Sequence, residues 1–501
     1  MERRPDRSYI DFALSLELEQ RGRGDSSVRA TLFARARARD LYLRLFGVIF
    51  AVAFLSLYSQ VTLLYGVDGL VPVELSLANR TPQWFALPTV FWLGWSDSSL
   101  RAAALAGALF SLGLVFNLAP RYCLIVCWVL YISFITVGAP FLHFQWDNLL
   151  LEAAFLSLFV TPGGLRPRHS APPSVAAVLL LQWLLFRLHF ESGVAKLVSG
   201  DPTWRDLTAV VSYYETAPLP TWLGWYAHQL PLWFQKCSTA SILLVEIIIP
   251  WFIWAPRLLR TAAFGVMASL QLVVILTANY TFFNYLTLAL CLFMLDDRQL
   301  APLVRGRRLA SESIRRRSWG GVVVVPVAIV MFALSFLPFA RFLRVLPESL
   351  WPVQNVIDTY RIANAYHLFA SMTLIRREAV IEGSDDGENW QEYEFRYKPG
   401  DVRRPPPFVA PHQPRVDFQM WFLLLGQRWG APYFDRLLRQ LLESPEKVAP
   451  LFAKMPYRLS PPKFLRVAVY QYRFTDSEAR RATGAWWRRE LIMYSKVQSR
   501  R

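Results

Sequence analysis

Beyond residue 40 the chain runs in apolar blocks separated by short polar stretches that are rich in arginine or in aromatic residues. Blocks of about 20 apolar residues are long enough to cross the ~30 Å hydrocarbon core of a bilayer as helices. Read in order, they predict nine transmembrane helices, at 41–65, 100–118, 121–142, 146–161, 174–192, 237–255, 259–278, 280–296 and 319–340. The fourth block is short and polar at its start. After residue 341 the period changes. "REAVIEGSDDGENWQEYEFRY" carries two alternating runs around a Ser-Asp-Asp-Gly turn, the pattern of a β-hairpin. "PPKFLRVAVYQYRFTD" alternates Leu465, Val467 and Val469 with Arg466, Ala468 and Tyr470, a further strand. "RVDFQMWFLLLG" and "APYFDRLLRQLLESPEKVAPLFA" have helical spacing. The pattern therefore predicts a polar segment 1–40, an α-helical polytopic membrane bundle 41–340, and a small β-rich C-terminal domain with added helices, 341–501. One connection, 191–236, is long and holds Trp204, Trp222, Trp225 and Trp233, which suits short helices lying at the membrane interface.

Composition agrees with a membrane protein. Of 501 residues, 54% are hydrophobic and only 18% charged, where soluble chains carry about a quarter charged residues. The net charge of +17 raises nucleic-acid binding as a class. The arginines, however, cluster between apolar blocks, and there is no zinc spacing and no basic strip interleaved with exposed aromatics, so no nucleic-acid partner is expected. Their distribution instead speaks to topology, since cytoplasmic loops keep Lys and Arg. The N-terminal segment is Arg-rich, Arg121, Arg166, Arg168, Arg257 and Arg260 follow in alternate loops, and 297–318 holds seven arginines against two acids. The loop 66–99 has only Arg80, and 138–146 has no Lys or Arg. With nine spans this places the N-terminus in the cytoplasm and the C-terminal domain on the lumenal or periplasmic side. The membrane is then the endoplasmic reticulum in a eukaryote or the inner membrane in a bacterium. No cleavable signal peptide is expected, because the N-terminus is polar and the first apolar block is too long. Cys123, Cys127, Cys237 and Cys291 fall in or beside apolar blocks and read as packing residues. Asn79-Arg-Thr and Asn279-Tyr-Thr are formal N-glycosylation triplets.

Several blocks carry polar groups that hydrocarbon penalises. In "HFQWDNLLLEAAFLSLF", Gln145, Asn148 and Glu152 recur at i, i+3 and i+7 and share one helix face, which must look toward protein or water. Asp147 lies off that face, at the positive end of the helix dipole. Arg187 and Glu191 are four apart and can pair along one helix; His189 and Lys196 follow. Glu246 and Gln271 sit inside later blocks. The simplest arrangement is one shared polar interior in which Arg187 partners Glu152 and Glu246 joins the same layer. Its neutral amides favour a network that fixes helix packing over a proton, substrate or cofactor site.

"FQWDNLLLEAAFL", "SGVAKLVSGDPTWRDL", "YYETAPLPTWLGWYAHQLP", "GSDDGENWQEYEFRYKPGD" and "APHQPR" together resemble the lipase maturation factor family, over a stretch from Leu41 to Asp476. The resemblance implies an integral membrane protein that helps secreted dimeric lipases reach an active fold, with its C-terminal domain on the lumenal side. It marks Lys196, Asp201, Trp204, Arg205, Asp206, Tyr214, Glu215 and His228 in the outer loop. In the C-terminal domain it marks Asp386, Gly387, Trp390, Lys398, Pro399, Gly400, His412 and Arg415. The chain departs from the family pattern at Tyr213 and His367, where His and Gly stand in the family, and at Val416 and Phe418. The segment "ESGVAKLVSGDPTW" is also similar to vitamin K-dependent carboxylases, a likeness that would make Lys196 a base acting with a quinone-like lipid. The bland alternative is a helix-end lysine that snorkels to the interface. Nothing else implies a cofactor or metal, and 341–501 shows no Ser–His–Asp constellation. The first expectation is therefore a membrane-embedded maturation factor whose partners are secreted lipases or other exported proteins, and the second a carboxylase-like membrane enzyme. A transporter ranks last, since no inverted repeat is visible.

Overall fold

The computed structural model describes residues 35–78, 80–167, 172–302, 319–425 and 431–500. Its membrane part is built on α1 (Ala36–Tyr58), α2 (Asp97–Val115), α3 (Pro120–Val137), α4 (Gln145–Ser157), α5 (Val175–Val198), α6 (Leu232–Ile247), α7 (Arg257–Thr277), α8 (Phe283–Cys291) and α9 (Trp319–Leu334). Six helical stretches are long and apolar enough to cross a membrane: α1, α2, α3, α5, α7 and Val324–Phe342, which includes most of α9. The other three expected spans, α4, α6 and α8, are shorter helices, so six of the nine meet the length and hydropathy of a span. The 13 residues of α4 reach about 20 Å at 1.5 Å per residue, short of the hydrocarbon thickness. α6 gives way to a 3-10 turn at Ile249–Trp254, which contains Pro250. α8 is continued only by the 3-10 turn Leu292–Met294.

Two ends of the bundle can be told apart by their contacts. At one end the amides of Ala36 and Arg37 donate to the Asp297 carboxylate at 3.1 and 2.8 Å, joining the start of α1 to the end of α8. Arg257 and Arg260, at the start of α7, approach Asp296 at 3.2 and 3.8 Å. At the other end, the close of α1, the start of α4, the close of α5 and the α7–α8 turn all meet the C-terminal chain. The connection between α5 and α6 does contain short helices, Pro202–Arg205, Ala209–Thr216 and Trp222–His228. Of the four tryptophans expected there, Trp222 and Trp233, the latter already in α6, are exposed, whereas Trp204 and Trp225 are buried.

The C-terminal domain adds α10 (Trp351–Tyr360), α11 (Arg415–Leu423) and α12 (Pro432–Glu443) to an antiparallel sheet of β1 (Arg376–Ser384), β2 (Gln391–Phe395), β3 (Phe452–Lys454), β4 (Phe464–Phe474), β5 (Trp487–Tyr494) and β6 (Gln498–Ser499). The strand order is β3-β2-β1-β4-β5, with β6 also on β4. The expected hairpin is β1–β2, with Ile381 opposite Tyr393. Its turn is held by Asp386, whose Oδ1 accepts the amides of Glu388 and Asn389 at 2.8 Å each. Gly387 takes a positive φ of 80° there, which a side chain would resist. α12 buries Tyr433, Phe434, Leu437, Leu438, Leu441 and Leu442 along one face. The two parts share one apolar core. At their junction Phe144 and Trp146 of the α4 start meet Phe418 of α11 with centroids 5.1 and 5.0 Å apart.

Candidate functional site

α4 buries ten of its thirteen residues, so its charges face protein. Glu152, in its third turn, is paired with Arg187 of α5. The other oxygen of Glu152 accepts from Asn364 Nδ2 at 3.0 Å and the Tyr366 hydroxyl at 2.8 Å. Arg187 donates to the carbonyls of Asn364 (2.9 Å) and Ser335 (3.3 Å) and lies 3.7 Å from Glu191. Glu191 accepts the Tyr366 amide at 2.9 Å. The pairing expected from the stripe is present, and so is the i, i+4 pair. What the sequence did not reveal is that residues 364–366, beyond the last span, complete the cluster. They belong to "RIANAYHLF", which has no periodicity to mark it.

Asp147 does more than meet a helix dipole. It is fully buried and forms a bidentate pair with Arg415 of α11, Nη1–Oδ2 2.7 Å and Nη2–Oδ1 2.8 Å. The Tyr131 hydroxyl adds a bond of 2.6 Å, and Arg415 also donates to the Phe141 carbonyl at 2.8 Å. Gln145 meets His367 twice, through Nε2 to Nδ1 and through Oε1 to the amide, both at 3.2 Å. Asn148 takes part only through its carbonyl, 3.4 Å from Asn364 Nδ2.

Lys196 departs from the snorkelling reading. It is 2% exposed, so it does not snorkel. Its ammonium is 2.7 Å from Glu246 Oε2 and donates to the carbonyls of Leu368 (2.7 Å) and Ser192 (3.4 Å), with the Trp204 ring centred 5.2 Å away. Glu246, Leu368 and Ser192 thus surround the amine with three acceptors from within the protein. Glu246 therefore belongs to a second layer, about 14 Å along α5 from Arg187 at 1.5 Å per residue, and not to the Glu152 layer. His189 Nδ1 donates to the Leu185 carbonyl (3.0 Å), and its Nε2 lies 3.4 Å from Gln271, whose Oε1 accepts from Asn284 at 2.8 Å.

The motif residues of the outer loop also face the C-terminal chain. Asp201 caps the Pro202–Arg205 turn through Thr203 and accepts the Met372 amide at 2.6 Å. Burial opposes its ionisation, but the Met372 amide and Thr203 hold its carboxyl below the usual range. Trp204 donates to the Phe369 carbonyl at 3.1 Å. Glu215 accepts the Phe474 amide at 3.1 Å and lies 3.8 Å from His228, while Tyr214 is buried nearby. Arg205 and Asp206 are exposed and take no part in this packing. Arg376, which no motif marked, donates to the carbonyls of Glu215 (3.0 Å), Ala217 and Pro218 (2.9 Å), and pairs with Glu378 at 2.6 Å. Lys398 shares that Glu378 at 2.8 Å and donates to Pro399 O at 3.3 Å. Gly400 O accepts from Tyr472, Trp390 lies under Arg466 with 4.1 Å to its ring centre, and His412 bonds Ser56 of α1 at 2.9 Å.

Asn279 is not placed to carry a glycan. It is 1% exposed; its Nδ2 donates to Leu219 and Pro407 (3.1 and 2.9 Å), and its Oδ1 accepts the amides of Val409 and Ala410 (2.7 and 2.9 Å). Asn79 lies outside the described residues. The sequence motifs thus converge on one feature: a polar seam in which segments 364–376 and 407–415 are locked into the helices.

Residues 37–302 match the model of the lipase maturation factor transmembrane domain, and residues 362–496 that of the lipase maturation factor C-terminal domain. The chain is 34% identical to lipase maturation factor 2 of Gallus gallus over 91% of this chain and 80% of that protein. It is also 34% identical to lipase maturation factor 2 of Homo sapiens, over 91% and 81%. Against lipase maturation factor 1 of Bos taurus the identity is 32%, over 92% and 89%. No solved structure matches.

Proposed function

The chain belongs to the lipase maturation factor family, and from that premise we propose that it is a membrane-embedded, chaperone-like factor assisting the folding or assembly of secreted lipases or other exported proteins. The observation that carries this reading is the seam. Each intramembrane carboxylate described above is satisfied by an arginine or lysine, or by backbone and side-chain donors of the C-terminal chain. Such a network holds a folded domain rigidly at one end of the bundle, which is what a client platform at a membrane surface requires. The end opposite the C-terminal domain carries Arg35, Arg37, Arg257 and Arg260. By the positive-inside rule that supports a cytoplasmic N-terminal end and a lumenal or periplasmic client platform.

The test is a deletion strain expressing a secreted lipase. Specific lipase activity in the medium should fall on deletion and return with the full-length chain, and the lipase should cross-link to residues of 343–500. Unchanged activity, with no cross-linked lipase, would end the proposal.

A further inference from the structure

We propose that the outer edge of β5 takes up an extended, acid-flanked apolar segment of an incompletely folded exported chain by strand addition; this deepens the maturation reading and rests on it. β5 is the last strand in the sheet order; among the described residues no further strand pairs with its outer edge, and at its start the Trp487 amide donates to the Val402 carbonyl at 3.1 Å. Successive side chains of a strand point to opposite faces. Leu491, Ile492, Met493 and Tyr494 are nevertheless all exposed, between 42% and 49%, so both faces of that end are bare as well as the edge. Natural proteins protect such edges with short strands, charges, proline or a covering element, because a bare apolar edge is a template for another chain. Here the run carries one such device, a bulge at Ile492 between the Tyr470–Leu491 and Val469–Met493 pairs, and is otherwise left open. It is not at the end of the strand joined to the helices: Trp487, at the other end, packs with the Arg376 that is tied to Ala217 and Pro218.

The charge around the edge selects the occupant. Arg473 of β4 stands directly opposite Arg488 of β5, a like-charge pair that destabilises a sheet unless an anion comes between. Lys463, Lys496 and Arg500 are exposed at the other end, and β5 itself contributes one acid, Glu490. Basic groups at both ends of an apolar edge fit a segment with an apolar centre and acidic ends. Main-chain hydrogen bonds supply affinity for many sequences in strand addition, and side-chain contacts set preference. That is the selectivity a factor handling several unfolded clients needs.

The experiment uses the full-length protein in nanodiscs and a fluorescein-labelled twelve-residue peptide with two glutamates at each end and an alternating Val/Thr/Leu centre. The peptide should bind, more weakly as salt rises. Placing proline at its centre, which removes a ladder donor, should weaken binding at least tenfold. The double variant Ile492→Lys/Met493→Lys should do the same without moving the thermal midpoint, and Arg473→Glu/Arg488→Glu should reverse the preference toward a lysine-flanked peptide. Equal binding of the proline peptide, or full binding by the lysine variant, would overturn the inference. So would a concentration-dependent dimer of the wild type that the lysine variant abolishes, since the edge would then belong to a second copy. Lipase secretion in the deletion strain separates the two readings. If the wild-type and lysine-variant chains restore activity equally, the edge is not the client site while the maturation role stands. If the wild-type chain restores none, the maturation role fails, and with it the client assignment.

Discussion

Glu152 shows how much one buried carboxylate can hold. It accepts from Arg187, Asn364 and Tyr366, three groups from different parts of the chain. Glu152→Leu would leave Arg187 with Glu191 at 3.7 Å as its remaining carboxylate, and breaking a buried pair from one side costs about 3–5 kcal/mol. Thermal unfolding in detergent should show that loss, and Glu152→Gln, which keeps an acceptor, should lose less; equal midpoints for the leucine variant and wild type would contradict it. This half of the cluster was legible, because three polar residues at helical spacing in an apolar run have one sensible orientation. Asn364 and Tyr366 were not, because they sit in irregular chain where neither period nor charge distinguishes them. A second residue, Asp417, makes a pH signature. Burial pushes its carboxyl up to about 6 from 3.8, against the amides of Lys398 and Tyr397 that favour the charged form. The folded chain then holds this proton more tightly than the unfolded chain. Its stabilising contribution is complete below about pH 4 and is lost as the pH rises to about 6. Both amides bond the same Oδ1, at 2.8 and 2.9 Å, which asparagine also supplies. Relative to wild type, Asp417→Asn should therefore gain up to roughly 3 kcal/mol between pH 4 and 7, read from paired denaturation curves; a difference flat with pH would refute the assignment.

At the scale of elements, apolar runs and helices are not the same objects. The runs continue through the 3-10 turns Ile249–Trp254 and Leu292–Met294, which hydropathy cannot tell from helix, so each run is longer than the helix within it. Strands β1, β2 and β4 announced themselves by period two. β5 did not, since "WRRELIMY" exposes both faces toward its end and so has no apolar–polar alternation to read. The glycosylation triplet at Asn279 is likewise only a local pattern: the structure uses the side chain as a clamp between two loops. Its Oδ1 fixes Val409 and Ala410 in the segment that leads to Arg415. Expression in a glycosylating host should leave Asn279 unmodified, with no endoglycosidase-sensitive shift at that site. Asn279→Ala should open 405–412 to limited proteolysis, because two amides lose their acceptor at about 1–3 kcal/mol each where buried. Unchanged cleavage kinetics would show that the clamp is dispensable.

For the whole molecule, the question is whether helices and sheet domain are two bodies or one. Their cores are continuous, and the Asp147–Arg415 pair bridges them with both partners buried. Two charges taken out of water are held only by each other and by Tyr131 and Phe141, so removing one strands the other. Arg415→Met should cost about 3–5 kcal/mol. Asp147→Leu/Arg415→Met, which removes both charges, should recover most of it, because replacing a buried pair by apolar groups is often close to neutral. Hydrogen exchange gives this a spatial form. In Arg415→Met, amides of 131–150 and of 395–423 should gain exchange together, and the double variant should return both toward wild type. If instead only the C-terminal segment loosens while α3 and α4 keep their protection, the pair is a local contact. The sheet domain would then be a separate body tethered to the bundle, and the rigid platform that client capture at the β5 edge relies on would be lost with it.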